Sequence, residues 1–204
     1  RAHQSLIWTR QRQLNQLRST LREFYPAALE AFAELGHSDA LAVLAVAPTP
    51  TLGRQASRSK IASALRRGGR QRRIDERAEQ IQTALRTDQL TAPALVSEAM
   101  GSTVTALVSI AGELTAQIAR IEAEMAESFD QHPDAEIIRS LPGLGMILGA
   151  RVLAEFGDDP NRYADAKCRK NYAGTSPITR ASGKSNAVLA RYAMSGFVAA
   201  RRKE

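Results

Sequence analysis

Seven apolar residues constrain this fold most: Val104, Leu107, Ala111, Leu114, Ile118, Ile121 and Met125, separated alternately by three and four positions. That alternation over three heptads predicts one long helix with an a/d seam, and the small Ala111 permits close approach of a partner helix. Pro133 disfavours helical geometry at His132, so the helix is expected to end near Asp130. At about 1.5 Å per residue the seam is a rod of about 30 Å that needs covering. Two partners fit: a second copy of the chain, or its first long helical stretch folded back as an antiparallel hairpin.

That first stretch runs from His3 to Leu35, where Ile7, Leu14, Leu17, Leu21, Phe24, Ala28 and Leu35 recur at helical spacing between Arg and Gln. Pro26 lacks an N–H and should kink the helix or divide it. Trp8 near the stripe reads as a partly buried packing residue, with base stacking as the alternative. Gly36 reads as a C-terminal cap, Ser38 or Asp39 as the opening of a short helix from Ala40 to Ala47, and Pro48-Thr49-Pro50 with Gly53 as a turn. Aromatic residues make up only 5% of the 204 residues, and Ala and Leu dominate. The expected fold class is all-α.

Lys and Arg number 28 against 21 Asp and Glu, a formal charge of +7. A balance this basic calls for a polyanionic partner. The longest apolar run, Ala40 to Pro48, is too short to span a bilayer, and no signal-peptide layout opens the chain, so nucleic acid comes before membrane. Between Arg54 and Arg73 eight cations occur without an acid, among them Arg66, Arg67, Arg70, Arg72 and Arg73. Divided by Gly68-Gly69, this run is expected to place two basic helix ends along a phosphate backbone, the alternative being a solvated face. The lone Cys168 excludes an internal disulfide and fits a reducing cytoplasm. The histidines, His3, His37 and His132, lack zinc-ligand spacing, so no metal site is expected within the chain.

The block that combines shaped turns with capped helices is Leu141 to Ser185. Leu141-Pro142-Gly143-Leu144-Gly145 lies between two apolar helical patterns and has the form of a helix-hairpin-helix turn, in which main-chain N–H groups at the second helix donate to phosphate. Gly149 stands where such modules carry a small residue. Met146, Ile147 and Leu148 are apolar where DNA-gripping versions often place a cation, so a purely structural hairpin is the alternative. Phe156-Gly157 closes that helix, and Asp158-Asp159-Pro160 reads as the cap of another from Asn161 to Tyr172, with Asp165 on its solvated face. A loop or short hairpin rich in hydroxyls follows, with Arg180 and Lys184 flanking Ser182-Gly183.

The succession PGLG, EFGD, a helix ending Tyr172-Ala173-Gly174, then Pro177 and Ser182-Gly183-Lys184 resembles the Tnp domain of bacterial insertion-sequence transposases of the one-ten/one-sixteen/nine-hundred-two type. Such proteins join a RuvC-like acidic domain through a coiled coil to a serine-bearing Tnp domain, and act as RNA-guided recombinases. The resemblance implies a helical linker over residues 1–97 with its basic segment at 54–73, a coiled-coil helix over 98–132 and a small helical Tnp domain over 133–204. It places the family nucleophile on Ser182, with Ser176 and Ser185 as local competitors; the flanking Arg180 and Lys184 are expected to neutralise the phosphate there, and Gly143 and Gly145 to make the hairpin's backbone contacts to nucleic acid.

It further implies DNA and a guide RNA as partners, a homo-oligomer through the coiled coil, and a cytoplasmic, nucleoid-associated location. Magnesium is expected in the RuvC-like domain, whose residues would precede Arg1. The pattern fades after Ala193, which leads us to expect a truncated or frame-shifted copy, inactive alone. The alternatives are a non-catalytic helix-hairpin-helix module that binds nucleic acid, and a coiled-coil assembly protein with an incidental basic surface.

Overall fold

A computed structural model describes residues 1–159, 161–183 and 185–189. Ten helices and one β-hairpin are described: α1 (Ala2–Phe24), α2 (Pro26–Ala31), α3 (Ser38–Val46), α4 (Pro50–Gln55), α5 (Arg58–Arg67), α6 (Ile74–Leu85), α7 (Ala94–Asp130), α8 (Ala135–Arg139), α9 (Met146–Phe156), α10 (Ala166–Tyr172), β1 (Ile178–Ser182) and β2 (Ser185–Leu189). The architecture is thus mostly helical, as composition and periodicity require. The chain forms two compact units, Arg1–Glu124 and Met125–Glu204.

In the first unit Pro26 divides the leading helical pattern rather than kinking it. α1 stops at Phe24, and Pro26 starts α2, where its missing N–H costs nothing. α2 ends at Ala31, before Gly36, which therefore does not cap it. The Pro48-Thr49-Pro50 segment is more than a turn: the Thr49 hydroxyl accepts from the Leu52 N–H and Pro50 takes the first position of α4. One apolar core joins Leu17, Leu21 and Phe24 of α1 to residues from α2, α3, α5 and α6, and to Val104, Leu107, Val108 and Ala111 of α7. Burying each large aliphatic side chain of this kind contributes about 1.5–3 kcal/mol.

α7 ends at Asp130, as Pro133 dictates. His3 at the start of α1 lies 2.9 Å from Glu122 near the end of α7, while the opposite halves of the two helices share the core, so they run antiparallel. Val104, Leu107, Ala111 and Ile118 of the seam are therefore buried within the chain itself. By length and composition α7 is also apolar enough to cross a membrane, a property that inspection of contiguous apolar runs overlooked. Trp8, by contrast, is 51% exposed and packs less than its place near the stripe suggested.

In the second unit Gly149 of α9 is buried beneath Phe129 and Ile138, and a Cβ there would approach the Phe129 ring to 2.7 Å. This is the close packing that a small residue at this place was expected to allow. The hydroxyl-rich segment forms the hairpin β1–β2, pairing Ser182 with Ser185 and Arg180 with Ala187.

Candidate nucleic-acid site

The basic run of the first unit folds into α5, a tight turn and the start of α6. Ser57 caps α5 by accepting from the Lys60 N–H. At the other end Gly69, at φ +87°, closes a Schellman turn in which its N–H donates to the Arg66 carbonyl and the Arg70 N–H to the Leu65 carbonyl, each at 3.0 Å. Gly68 is needed for a different reason: a Cβ there would collide with the backbone of Asp39. Ser38 Oγ donates to the Gly68 carbonyl at 2.6 Å, so the Gly-Gly turn is fastened to α3 rather than left as a flexible joint.

These contacts sort the five arginines expected to hold phosphate. Arg70 Nε donates to Asp39 Oδ2 at 2.8 Å in a half-buried ion pair that locks the turn. Arg73 adopts a left-handed backbone at φ 49° as it starts α6 and lies 3.8 Å from Glu76. Arg66, Arg67 and Arg72 are exposed and have no carboxylate partner among the described residues. Arg54 and Arg58 elsewhere in the run pair with Asp88 and Glu79 at 3.6 and 3.3 Å, acids that lie beyond it in sequence. Three of the four cations of the run without a carboxylate partner thus lie at or beside the turn, the fourth being Lys60 near the start of α5.

In the second unit Gly143 takes φ +79° in the turn between α8 and α9. Gly145 precedes α9 with extended backbone and no capping side chain, so the first amides of α9 lack an intrahelical acceptor. Ser182 is exposed at the end of β1, next to a two-residue connection whose first member, Gly183, has φ +55°. Exposure meets the first requirement for a nucleophile. No base lies within hydrogen-bond reach of its Oγ among the described residues. Arg180 lies on β1 in register with Ala187. Lys184 lies outside the described residues, as do Pro160 and residues 190–204.

The segment between α9 and α10 departs from the expected helix. Asp159 Oδ1 accepts the Asn161 N–H at 2.8 Å, forming a turn, and Asp158 lies 3.4 Å from His132. A backbone hydrogen bond and this histidine hold the Asp158 carboxyl below its ordinary range. The cap of α10 is Asp165, not Asp158 or Asp159: its Oδ1 accepts the Cys168 N–H at 2.6 Å, which lowers its pKa. The same carboxylate pushes the exposed Cys168 thiol up, away from the reactive thiolate. Among the described residues no group of three or more His, Cys, Asp or Glu side chains is arranged to hold a metal ion.

A further feature went unread in the sequence. Phe156, Tyr163 and Tyr172 form a three-ring cluster with centroids 5.5–6.2 Å apart. The Arg162 guanidinium lies over both tyrosine rings at 5.5 and 5.3 Å, and Arg169 lies over Tyr163 at 5.4 Å. Tyr172 donates to Glu155 Oε1 at 2.8 Å, which raises its pKa because ionisation would set two negative charges together. The Tyr163 hydroxyl is buried with no partner, an arrangement that costs about 1–3 kcal/mol. Beside this cluster is a cavity of about 410 Å³ lined by Phe156, Tyr163, Asp165, Arg169, Lys170 and Thr175, among others. The three rings come from a helix end, a turn and a second helix, so no periodicity announces them.

The glycine-shaped helical hairpin and the exposed serine beside a two-residue β-connection both lie in the segment on which the family comparison falls. Residues 135–203 match the model of the transposase IS116/IS110/IS902 family, and this segment belongs to that family. The match runs past Ala193, beyond the point at which the resemblance was expected to fade. Across 196 residues the chain is 39% identical to the transposase assigned to the IS117 mini-circle of Streptomyces coelicolor, covering 94% of this chain and 47% of that protein. It is 34% identical over 153 residues to an uncharacterised 42 kDa protein of insertion element IS900 from Mycobacterium paratuberculosis, covering 74% and 37%. With an uncharacterised 44.8 kDa protein of IS116 from Streptomyces clavuligerus the identity is 33% over 183 residues, covering 88% and 44%. The chain thus spans less than half the length of these relatives. No solved structure matches it.

Proposed function

We propose that the chain is the DNA-handling part of an insertion-element transposase, and that Ser182 is its nucleophile. The observation carrying this reading is the exposed Ser182 at a two-residue β-turn inside the family-matched segment. In the reaction its Oγ forms a bond to a DNA phosphorus while the bond to one bridging sugar oxygen breaks. That oxygen leaves with a proton, and the phosphoserine ester keeps the bond energy for rejoining. A serine hydroxyl is a weak nucleophile, so a base and cationic stabilisation of the phosphate are needed. Arg180 and Lys184, flanking it in sequence, are assigned the second role.

The same proposal includes a guide RNA and an acidic RuvC-like domain that supplies Mg²⁺, with the family's cytoplasmic, nucleoid-associated setting. Arg66, Arg67 and Arg72 serve as phosphate contacts. Self-association uses Leu114, Ile121 and Met125, which stay partly exposed on the α7 seam. A second reading, a non-catalytic nucleic-acid module, is favoured by the uncapped start of α9 behind Gly143 and Gly145, where free amides suit a phosphate.

A nicked suicide DNA substrate separates the two. In the complete transposase, a phosphoserine adduct that is abolished by S182A and retained by S185A supports Ser182. Full strand exchange by S182A removes the assignment, and salt-sensitive binding without adduct selects the second reading.

A further inference from the structure

We propose that the cavity beside the aromatic cluster of the second unit is a binding pocket for one unpaired nucleotide, its base against Phe156 and Tyr163 and its phosphate on Arg169 and Lys170. This deepens the reading of the chain as a DNA-handling protein and rests on it. At about 410 Å³ the cavity is of the size of small-molecule sites. Its chemistry is divided as a nucleotide requires. Aromatic rings offer a stacking surface that tolerates any base, and cations on the same lining follow the phosphate.

Two observations make the lining specific. Arg169 is held over the Tyr163 ring at 5.4 Å and, like Lys170, has no carboxylate partner among the described residues, so its fork of N–H groups is oriented yet uncommitted. The acid in the lining, Asp165, already accepts the Cys168 amide and leaves the cations free.

Position agrees with chemistry. Thr175 lines the cavity and β1 begins three residues later at Ile178, so Ser182 is at most about 24 Å of chain away. A base drawn from a duplex into this pocket would fix the strand relative to the serine, and extrusion is easiest where pairing is already lost.

The test uses the full chain and three 20-base-pair duplexes: fully matched, with one bulged 2-aminopurine, and with one bulged abasic residue. The expected result is about tenfold tighter binding of the base-bearing bulge than of the other two, with quenching of its fluorescence. R169Q/K170Q, both on exposed side chains, should abolish that preference. Y163L, which removes the stacking ring, should reduce it severalfold, with far-UV circular dichroism unchanged in each. R66Q/R67Q in the first unit should weaken all three duplexes alike.

Salt-dependent binding with equal affinity for base and abasic bulges overturns the pocket and leaves the DNA-handling reading standing. A preference that survives R169Q/K170Q and Y163L places the nucleotide elsewhere and likewise overturns it. Failure to bind any duplex at low salt overturns both. Ribonucleotide versions of the bulge decide whether the occupant comes from DNA or RNA.

Discussion

Gly53 lies on α4 with its α-carbon against the Tyr25 hydroxyl, close enough that a Cβ would collide with it. In an open helix Gly→Ala adds about 1 kcal/mol of stability. Here G53A should instead destabilise the protein by about 2 kcal/mol, because the core has no space for the methyl. The Tyr25 hydroxyl is buried and has no partner, and desolvation pushes its pKa upward, so Y25F should be neutral or stabilising. In the Y25F background the cost of G53A should fall by about 1 kcal/mol, a coupling that urea denaturation of the four-protein cycle measures. Equal costs in both backgrounds would mean that the two residues do not touch. Neither the contact nor its sign was legible in the sequence, where Gly53 read as a turn residue, because only the fold brings α4 against the end of α1.

Among the elements, α7 was the most legible because its apolar alternation is long and its end is set by Pro133, both local facts. α4 and the start of α10 were not, since each depends on one side-chain cap, Thr49 or Asp165, competing with nearby residues of the same chemistry. In the basic run the sequence showed charge without partners, because Asp39, Glu79 and Asp88 all lie outside it. The structure divides the arginines by what they hold. R70Q should lower stability by about 1 kcal/mol through loss of the Asp39 pair that fastens the turn to α3. R66Q and R67Q should leave stability within about 0.5 kcal/mol. They should instead reduce the slope of log affinity against log salt for duplex DNA by about one per charge. Thermal melts read the first effect and fluorescence anisotropy across a salt series reads the second. An unchanged salt slope would make this turn a solvated face, the alternative its sequence left open.

For the whole molecule, the division of apolar burial predicts two levels of stability. Among the described residues the largest fully buried side chains, including Leu17, Tyr25, Leu44, Ile61, Leu65, Leu85 and Val104, all lie in the first unit. In the second, the buried apolar residues among those described are Phe129 and Ala135, with Gly149 beneath the phenylalanine ring. With so little buried surface among its described residues, this unit is expected to be the less stable of the two. Its tyrosine cluster, with the enclosed Tyr163 hydroxyl left unpartnered, adds a further cost. The full chain should therefore unfold in two calorimetric transitions rather than one. A chain of residues 1–130 keeps the entire core from Leu17 to Ala111, so it should lose the lower transition and retain the upper one within a few degrees. Bulged DNA at a hundred times its dissociation constant should raise the lower transition of the full chain, since binding at that excess contributes about 2.7 kcal/mol to the unit that holds it. R169Q/K170Q should remove that rise while leaving the upper transition where it was. A single transition, or a shift confined to the upper one, would place both the weak unit and the nucleotide on the wrong side of Glu124.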